Sequence, residues 1–584
     1  MKVRISCLSR PGSRSDSGAR TAPRLILIIA LLLAAWLVPE RALAGGLYLM
    51  PRGAEAASRG GARVAGSDDP QALWYNPAGL LSSGRQLLVD GVLPIVRTDF
   101  TRVLDNGMVQ PTVSSTSAIP IPTLAYSDNF GLRHWGFGIG LIVPPGSGGS
   151  WPDKVNGRPA PQRYSILDAQ GTFLATLALG AAYRPTDRLS LGVALYLTAA
   201  QVGATVALSA CDYAFCLQPE AKEWEGRTRF LLGPVYTASA VFGAKYAIGR
   251  SHTQGRASTT WATLGASLQL RTKIAGEASF DVRLPDQAIF DDVKLQNRNG
   301  STDLKADMDV ALPMIMRLGV EFQPFNSLRT EVGGSWENWS SQSSITVNPR
   351  GVIARDVPGV GDVAANPVTL ARNMRDTWSL NIGGTYDLAP LVRSRRAFAA
   401  NAGLMYESSS FRNRDLSVAT VDTRKTMIGL GVSYEVARNV LLDCTYGHIF
   451  MRNRHVRNSR VLLPAAIHPL PQDDDPGSYE PGDRPAIGNG KYVMEADFVG
   501  IGVRWKLDAW KKRPAEPRPP ATPPGEPAVA TGYAATPVDT ALVAPPMAPV
   551  ASEPDAPAVS EPAPSSEPAP SSVEPVVSQP PAPQ

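Results

Sequence analysis

The signal that recurs along the chain is alternation with period two. Trp378, Leu380, Ile382, Gly384 and Tyr386 alternate with Thr377, Ser379, Asn381, Gly383 and Thr385. Leu189, Leu191, Val193, Leu195 and Leu197 alternate with Ser190, Gly192, Ala194, Tyr196 and Thr198, and Met316, Leu318, Val320 and Phe322 with Arg317, Gly319 and Glu321. One face is apolar and the other small or polar, which predicts strands with lipid on the outside and a partly wet lumen within. Beyond the amino-terminal 44 residues no stretch has the 18 consecutive apolar residues of a membrane helix.

A soluble β-sandwich also alternates, so the turns must decide. Seven segments end in an aromatic residue: Tyr126, Tyr183, Tyr246, Phe322, Tyr386, Tyr434 and Trp505. The first six run into a turn and a further strand, as in Tyr183-Arg184-Pro185-Thr186-Asp187-Arg188, and most of these turns are short. Connections at the opposite strand ends are longer and more polar: 144–163, 206–230, 281–303, 348–372 and 456–490. Short turns on one side, long loops on the other and aromatics at one depth describe a transmembrane barrel with an interfacial girdle. Strands start near 85, 114, 134, 165, 188, 232, 259, 304, 328, 373, 397, 423, 440 and 491. The expected fold is thus all-β, a 14-stranded antiparallel transmembrane barrel with both ends on the short-turn, periplasmic side.

The two ends of the chain read differently. Lys2, Arg4, Arg10, Arg14, Arg20 and Arg24 precede an apolar run from Leu25 to Val38, and Ala42-Leu43-Ala44 is a small-x-small site. This is a secretory signal peptide over 1–44, and export to the outer membrane of a Gram-negative cell follows. The segment carries a net charge of +5, the whole formal excess of the chain, so the mature protein is nearly neutral and nucleic acid is not an expected partner. Residues 45–84 are rich in Gly, Ala and Ser, lack strand alternation and precede the barrel of 85–507. Residues 508–584 are rich in Pro, Ala and Ser, with Ser560-Glu561-Pro562-Ala563-Pro564-Ser565 nearly repeated at 566–571. That composition cannot bury a core and predicts a disordered periplasmic tail, either a spacer or a contact to a periplasmic partner or the cell wall.

The segment before the barrel reads Gly60-Gly61-Ala62-Arg63-Val64-Ala65, then Asp68-Asp69-Pro70, then Ala72-Leu73-Trp74-Tyr75-Asn76-Pro77-Ala78-Gly79-Leu80. A Gly-rich stretch, an acidic pair and Asn-Pro-Ala, in that order, resemble the amino-terminal hatch of the FadL-type long-chain fatty-acid outer-membrane transporters, whose relatives carry aromatic hydrocarbons. Further likeness lies in Ile119-Pro120-Ile121-Pro122-Thr123-Leu124-Ala125-Tyr126 and in Trp336-Glu337-Asn338-Trp339-Ser340. The resemblance spans roughly 45–507; the terminal aromatic residue common in the family is replaced by Trp505-Lys506-Leu507 and the tail. It implies a barrel plugged by the hatch, with Asp68 and Asp69 as its acidic pair and Asn76, Pro77 and Ala78 as its motif. It also implies passive uptake of a hydrophobic small molecule that leaves through a gap in the wall near strand three, without nucleotide or cofactor. The protein is expected to act as a monomer.

The residues add candidates of their own. Pro94, Pro120, Pro122, Pro144 and Pro145 fall in or beside the first three strands, where proline donates no ladder hydrogen bond. Pro144-Pro145-Gly146 either marks the lateral gap or begins an outer loop. Lumen-facing Arg317, Glu321, Arg329 and Glu331 need partners, either each other or Arg59, Asp68 and Asp69. Cys211 and Cys216 are placed to close a loop disulfide, and Cys444 is read as a wall residue. Arg452, Arg454, Arg457 and Arg460, near an outer-loop base, suit lipopolysaccharide phosphates or bulk water. Asp473, Asp474, Asp475, Glu480 and Asp483 read as a solvated loop before a calcium site. The histidines 134, 252, 448, 455 and 468 lack metal-ligand spacing, and no nucleophile elbow, P-loop or dinucleotide fingerprint occurs. No enzyme, metal or cofactor is expected. The competing readings are an open porin and a structural or adhesive barrel.

Overall fold

The computed structural model describes residues 50–143, 150–211, 218–250, 260–342, 344–357, 361–365, 368–464 and 484–507. The signal segment, Pro144, Pro145, Gly146, Cys216, His252, His468, the 473–483 acidic loop and the tail lie outside them. Fourteen strands form one closed antiparallel barrel. They are β1 (Gln86–Arg102), β2 (Val113–Ala118 and Ile121–Asp128), β3 (Trp135–Ile142), β4 (Phe173–Tyr183) and β5 (Leu189–Ser209). Next come β6 (Glu225–Arg250), β7 (Thr260–Gln269 and Thr272–Arg283), β8 (Lys305–Leu312 and Ile315–Phe325) and β9 (Leu328–Glu337 and Ser344–Pro349). The ring is completed by β10 (Val368–Ala371 and Thr377–Asp387), β11 (Phe398–Glu407), β12 (Lys425–Ala437), β13 (Val440–Met451 and Arg454–Val456) and β14 (Gly490–Lys506). Each strand pairs with its sequence neighbour, and β14 closes on β1 from Gln86↔Lys506 to Arg102↔Gly490. Among the described residues no helix is long and apolar enough to cross a membrane.

The alternation sorts as its chemistry requires. Leu191, Val193, Leu195, Leu197, Leu318, Leu380 and Ile382 point outward and are exposed, Leu380 by 60%. Their lumen-side neighbours Ala194, Tyr196, Arg317, Thr377 and Ser379 are buried. The short-turn aromatics share one level: Tyr183 stands opposite Leu191, Tyr246 opposite Leu189, Tyr386 opposite Leu328 and Tyr434 opposite Phe398. Trp505 is opposite both Val440 and Leu87, and Tyr126 also faces Leu87. An aromatic ring at one depth is the interfacial girdle of a membrane barrel. Cys444 lies exposed on the outer wall.

Two strand starts differ most from the sequence expectation. β6 begins at Glu225, well ahead of residue 232, because it pairs with β5 as far as Ser209↔Glu225. Polar residues there, including Thr205, Arg227, Thr228 and Arg229, continue the ladder into water, so a segment that looks like loop by polarity is strand by pairing. β4 begins at Phe173, later than residue 165, because Tyr164 and Leu167 are buried beneath the outer loops. Parts of the predicted loops at 281–303 and 348–372 form a separate three-stranded sheet, Lys294–Asn297, Val352–Val357 and Gly361–Ala364.

Two of the five prolines, Pro94 and Pro120, interrupt the wall, whereas Pro122 pairs with Gly91 inside the ladder. The β1–β2 ladder runs from Gln86↔Ser127 to Val92↔Ile121 and resumes only at Ile95↔Ala118, with Pro94 and Pro120 in the break. β3 is short, and its ladder with β4 ends at Ile142↔Thr176 while β4 continues along β5 to Phe173↔Gln201.

Candidate functional site in the barrel lumen

Residues 50–84 contain three short helices, α1 (Ala54–Ser58), α2 (Ala72–Tyr75) and α3 (Leu80–Ser83), with a 3₁₀ turn at Pro77–Gly79. Helices this short are not stable alone, so tertiary contacts must hold them. The segment is almost wholly buried and touches strands around the ring. Asn76 shows how one residue serves both purposes. Its side-chain oxygen caps the turn by accepting from the Ala78 amide at 3.2 Å, while its Nδ2 donates to the Val64 carbonyl at 2.9 Å and the Ala244 carbonyl of β6 at 3.0 Å. Pro77, next in line, has the fixed φ that suits the first helical position. The Asn-Pro-Ala motif is therefore a clasp between the segment and the wall. Tyr196 of β5 donates to the Leu73 carbonyl at 2.8 Å, Ser267 of β7 to that of Tyr75 at 2.7 Å, and Lys245 of β6 to that of Ser67 at 2.7 Å.

Close approach needs a wall without side chains, and the lumen face supplies glycine. A Cβ at Gly265 would stand 2.6 Å from the Ala65 backbone, and one at Gly136 would stand 2.8 Å from that of Leu80. Gly192, Gly383, Gly403 and Gly429 are likewise pressed against Pro77–Ala78, Arg59, Arg59–Gly60 and Ala57–Ser58. These glycines account for the small lumen face of the sequence pattern.

Charge does the rest. Glu321 of β8 lies directly across from Glu331 of β9, a pairing of like charges that would destabilise a bare sheet. Each is answered by the amino-terminal segment. Glu331 accepts the amides of Val64, Ala65 and Gly66 at 2.6, 3.0 and 2.7 Å. Glu321 pairs with Arg329 at 3.0 Å and with Arg59 at 3.5 Å, and Arg329 reaches Asp68 at 2.6 Å. Asp69 turns away from the wall to Arg63, at 2.7 Å. Arg317 also stands apart from the expected cluster. It is four residues from Glu321 along an extended strand, about 13 Å, and it bonds instead to Gln269 at 3.0 Å with its guanidinium over the Trp74 ring.

A second network went unread in the sequence. Glu55 meets Arg63 at 2.5 Å, Arg504 of β14 at 2.6 Å and Arg59 at 3.5 Å, and Arg504 also meets Asp443 of β13 at 2.7 Å. Burial would raise the Glu55 pKa, yet Arg504, Arg63 and Arg59 hold it down at about 2, so the carboxylate stays ionised. An arginine on the lumen phase of the otherwise apolar Val503–Trp505 stretch was the available signal. Arg52 was missed as well; its guanidinium lies over Trp74 and donates to the Val143 carbonyl just beyond β3 and to that of Pro122 at 3.4 Å. Cys211 is disulfide-bonded.

One step outward from α1 the lumen wall becomes apolar. Met405↔Met427, Met427↔Ile449, Ile449↔Ala496 and Ala496↔Val96 are successive cross-strand pairs, a continuous row over β11, β12, β13, β14 and β1. All five side chains are buried, and they pack with Met50, Met494 and Phe498. Farther out, Phe100, Trp151, Trp339, Phe411 and Tyr492 form a cap of aromatic residues contributed mostly by the outer loops and strand ends. The lumen thus holds a polar, bonded segment, an apolar cluster rich in the adaptable side chain of methionine, and an aromatic roof.

A family model described as outer membrane protein transport protein (OMPP1/FadL/TodX) matches residues 35–468. Among solved structures, a Pseudomonas aeruginosa FadL homologue is similar with a TM-score of 0.60 at 16% identity, over 79% of this chain and 99% of that one. The P. putida toluene transporter TodX gives 0.50 at 16% identity, over 79% and 99%. At these identities the likeness is one of fold. A putative outer membrane protein of Neisseria meningitidis serogroup B is 21% identical over 140 residues, 24% of this chain, and the match spans a quarter (25%) of that relative's length.

Proposed function

Because the chain belongs to the OMPP1/FadL/TodX family of outer membrane transport proteins, we propose that it takes up uncharged or weakly polar hydrophobic molecules by passive diffusion, with residues 45–84 as a hatch. The observation that carries this reading is the row Val96–Ala496–Ile449–Met427–Met405. A lumen open to water has no use for a continuous apolar band at its middle, whereas an apolar solute gains about 25 cal/mol per Å² of surface withdrawn from water there. One structural neighbour is a toluene transporter, in keeping with such cargo.

In this reading a ligand enters beneath the aromatic roof, rests against the methionine row and leaves sideways through the wall beside β3. The early end of β3 and the ladder break at Pro94 and Pro120 favour that exit. Arg52 joins the hatch to the end of β3, so a shift of the hatch is felt at the opening. The mature chain begins after Ala44, works as a single copy, and carries its tail in the periplasm.

Replacing both Met405 and Met427 with Gln puts polar groups into the row at nearly constant volume. Uptake of a labelled aromatic hydrocarbon or fatty acid by cells is expected to fall about five- to tenfold, equivalent to roughly 1–1.4 kcal/mol of lost apolar contact. The folded barrel content of the membrane should not change. Equal uptake by cells with and without the protein would refute the transport reading, and steady conductance of the purified wild type in planar bilayers would replace it with an open porin.

A further inference from the structure

Four arginines gather at the outer rim above β10–β13. Arg375 precedes the long piece of β10, Arg424 directly precedes β12, and Arg452 and Arg454 lie at the outer end of β13. The barrel, not the sequence spacing, brings them together. The Arg452 amide donates to the Arg424 carbonyl at 3.1 Å. Arg454 and Arg375 both donate to the carbonyl of Phe411, at 3.0 and 3.5 Å, and Arg375 also to that of Ser409 at 3.3 Å. Two guanidinium groups on one neutral acceptor are like charges held close without a counter-charge between them.

Several outward arginines elsewhere are matched by carboxylates: Arg350 with Glu277 and Asp307, Arg97 with Asp497, Arg85 with Asp128. Among the described residues none of the four rim arginines forms an ion pair. Asp422 is the nearby carboxylate, but it is buried and committed to the Ser410 hydroxyl at 2.9 Å and to Lys425 at 3.7 Å. Burial lowers the Arg454 pKa, and Arg375, Arg424 and Arg452 lower it further against the pull of Asp422. Arg457 and Arg460 are not among the cations acting on Arg454.

The height of the cluster is set by the wall. Arg424 and Arg452 are exposed and continue, by one period-two step, the outward face of Ile428–Thr426 and of Phe450. Thr426 is opposite Tyr406, whose ring packs on Trp378 at 5.3 Å. These aromatics form the upper edge of the lipid-facing belt, so the arginines stand where outer-leaflet headgroups begin. We propose that Arg375, Arg424, Arg452 and Arg454 bind the phosphorylated headgroup of an outer-leaflet glycolipid. Guanidinium forks match phosphate oxygens in pairs, and a phosphate supplies the negative charge that the described residues do not pair with this cluster.

The inference is independent of the transport reading, and its test does not use uptake. Full-length protein is extracted from outer membranes in mild detergent, and retained phosphorylated glycolipid is counted by native mass spectrometry. Wild type is compared with Arg375→Gln/Arg424→Gln/Arg452→Gln and with Arg393→Gln/Arg395→Gln/Arg396→Gln, which removes equal charge from the exposed turn between β10 and β11. Wild type and the second triple should retain lipid equally, and the first triple at least tenfold less, with wild-type retention falling as salt is raised. Equal retention by all three proteins overturns the proposal. So does binding of inorganic pyrophosphate as tight as that of the lipid, which would make the patch a site for a soluble anion. If the first triple does not show the heat-modifiable mobility of a folded barrel, the single variants Arg424→Gln and Arg452→Gln, both at exposed positions, replace it and should each lower retention.

Discussion

Glu331→Ala is expected to free the amino-terminal segment from the wall while leaving the barrel closed. The carboxylate accepts three consecutive amides, those of Val64, Ala65 and Gly66, and is itself fully buried. Its removal leaves three amides without their acceptor, at about 1–3 kcal/mol for each unsatisfied group. It also strips the charge that opposes Glu321, but this smaller relief does not restore the lost bonds. The barrel has its own ladder of backbone hydrogen bonds and does not need Glu331 to remain shut. Current through single molecules in planar bilayers should therefore rise from near zero to long-lived openings, and a protease should gain access to the chain near residues 60–70. Glu331→Gln, which keeps one acceptor oxygen, should fall between the two. Wild-type conductance and protection in Glu331→Ala would show that the segment is held by something else.

Gly403→Val should act on the same segment by force. The new side chain would meet the Arg59 carbonyl carbon and the Gly60 amide nitrogen. Backbone cannot rotate out of the way as a flexible side chain does, so the cost should exceed the usual ~1–3 kcal/mol of an overpacked core. Ala402→Val, one residue away but facing lipid, is the control and should be neutral. We expect Gly403→Val to give either the open-channel phenotype of Glu331→Ala or a large loss of folded protein, measured by bilayer current and by heat-modifiable mobility. Parity with Ala402→Val in both measurements would mean that the lumen glycine is dispensable.

Much of the wall was legible because a strand carries its own record of which side is wet. Trp378 to Tyr386 and Leu189 to Leu197 reveal their outward faces without reference to any other strand, and the girdle aromatics mark one depth. What stayed hidden depends on register between strands. Met405 and Met427 are far apart in sequence and become neighbours only through the β11–β12 pairing, and Glu321 meets Glu331 only through that of β8 and β9. The period-two pattern of a single strand contains no information about which residue stands beside it. The charge cluster was read as a set by type and proximity in sequence, and this put Arg317 with carboxylates that lie about 13 Å along the strand. Arg52 and Glu55 failed to stand out because the segment has no periodicity, and Arg504 because its partners Glu55 and Asp443 come from other parts of the chain.

The closing seam joins residues 400 positions apart, such as Arg97 and Asp497, and this has a consequence for assembly. Contacts at Glu331, Gly403, Ala244 and Arg504 lie around the whole inside of the ring, so the segment is fully bonded only when all of these strands are in place. The first and last parts of the chain thus complete one another: Glu55 finds Arg504 only once the final strand has taken its place beside the first.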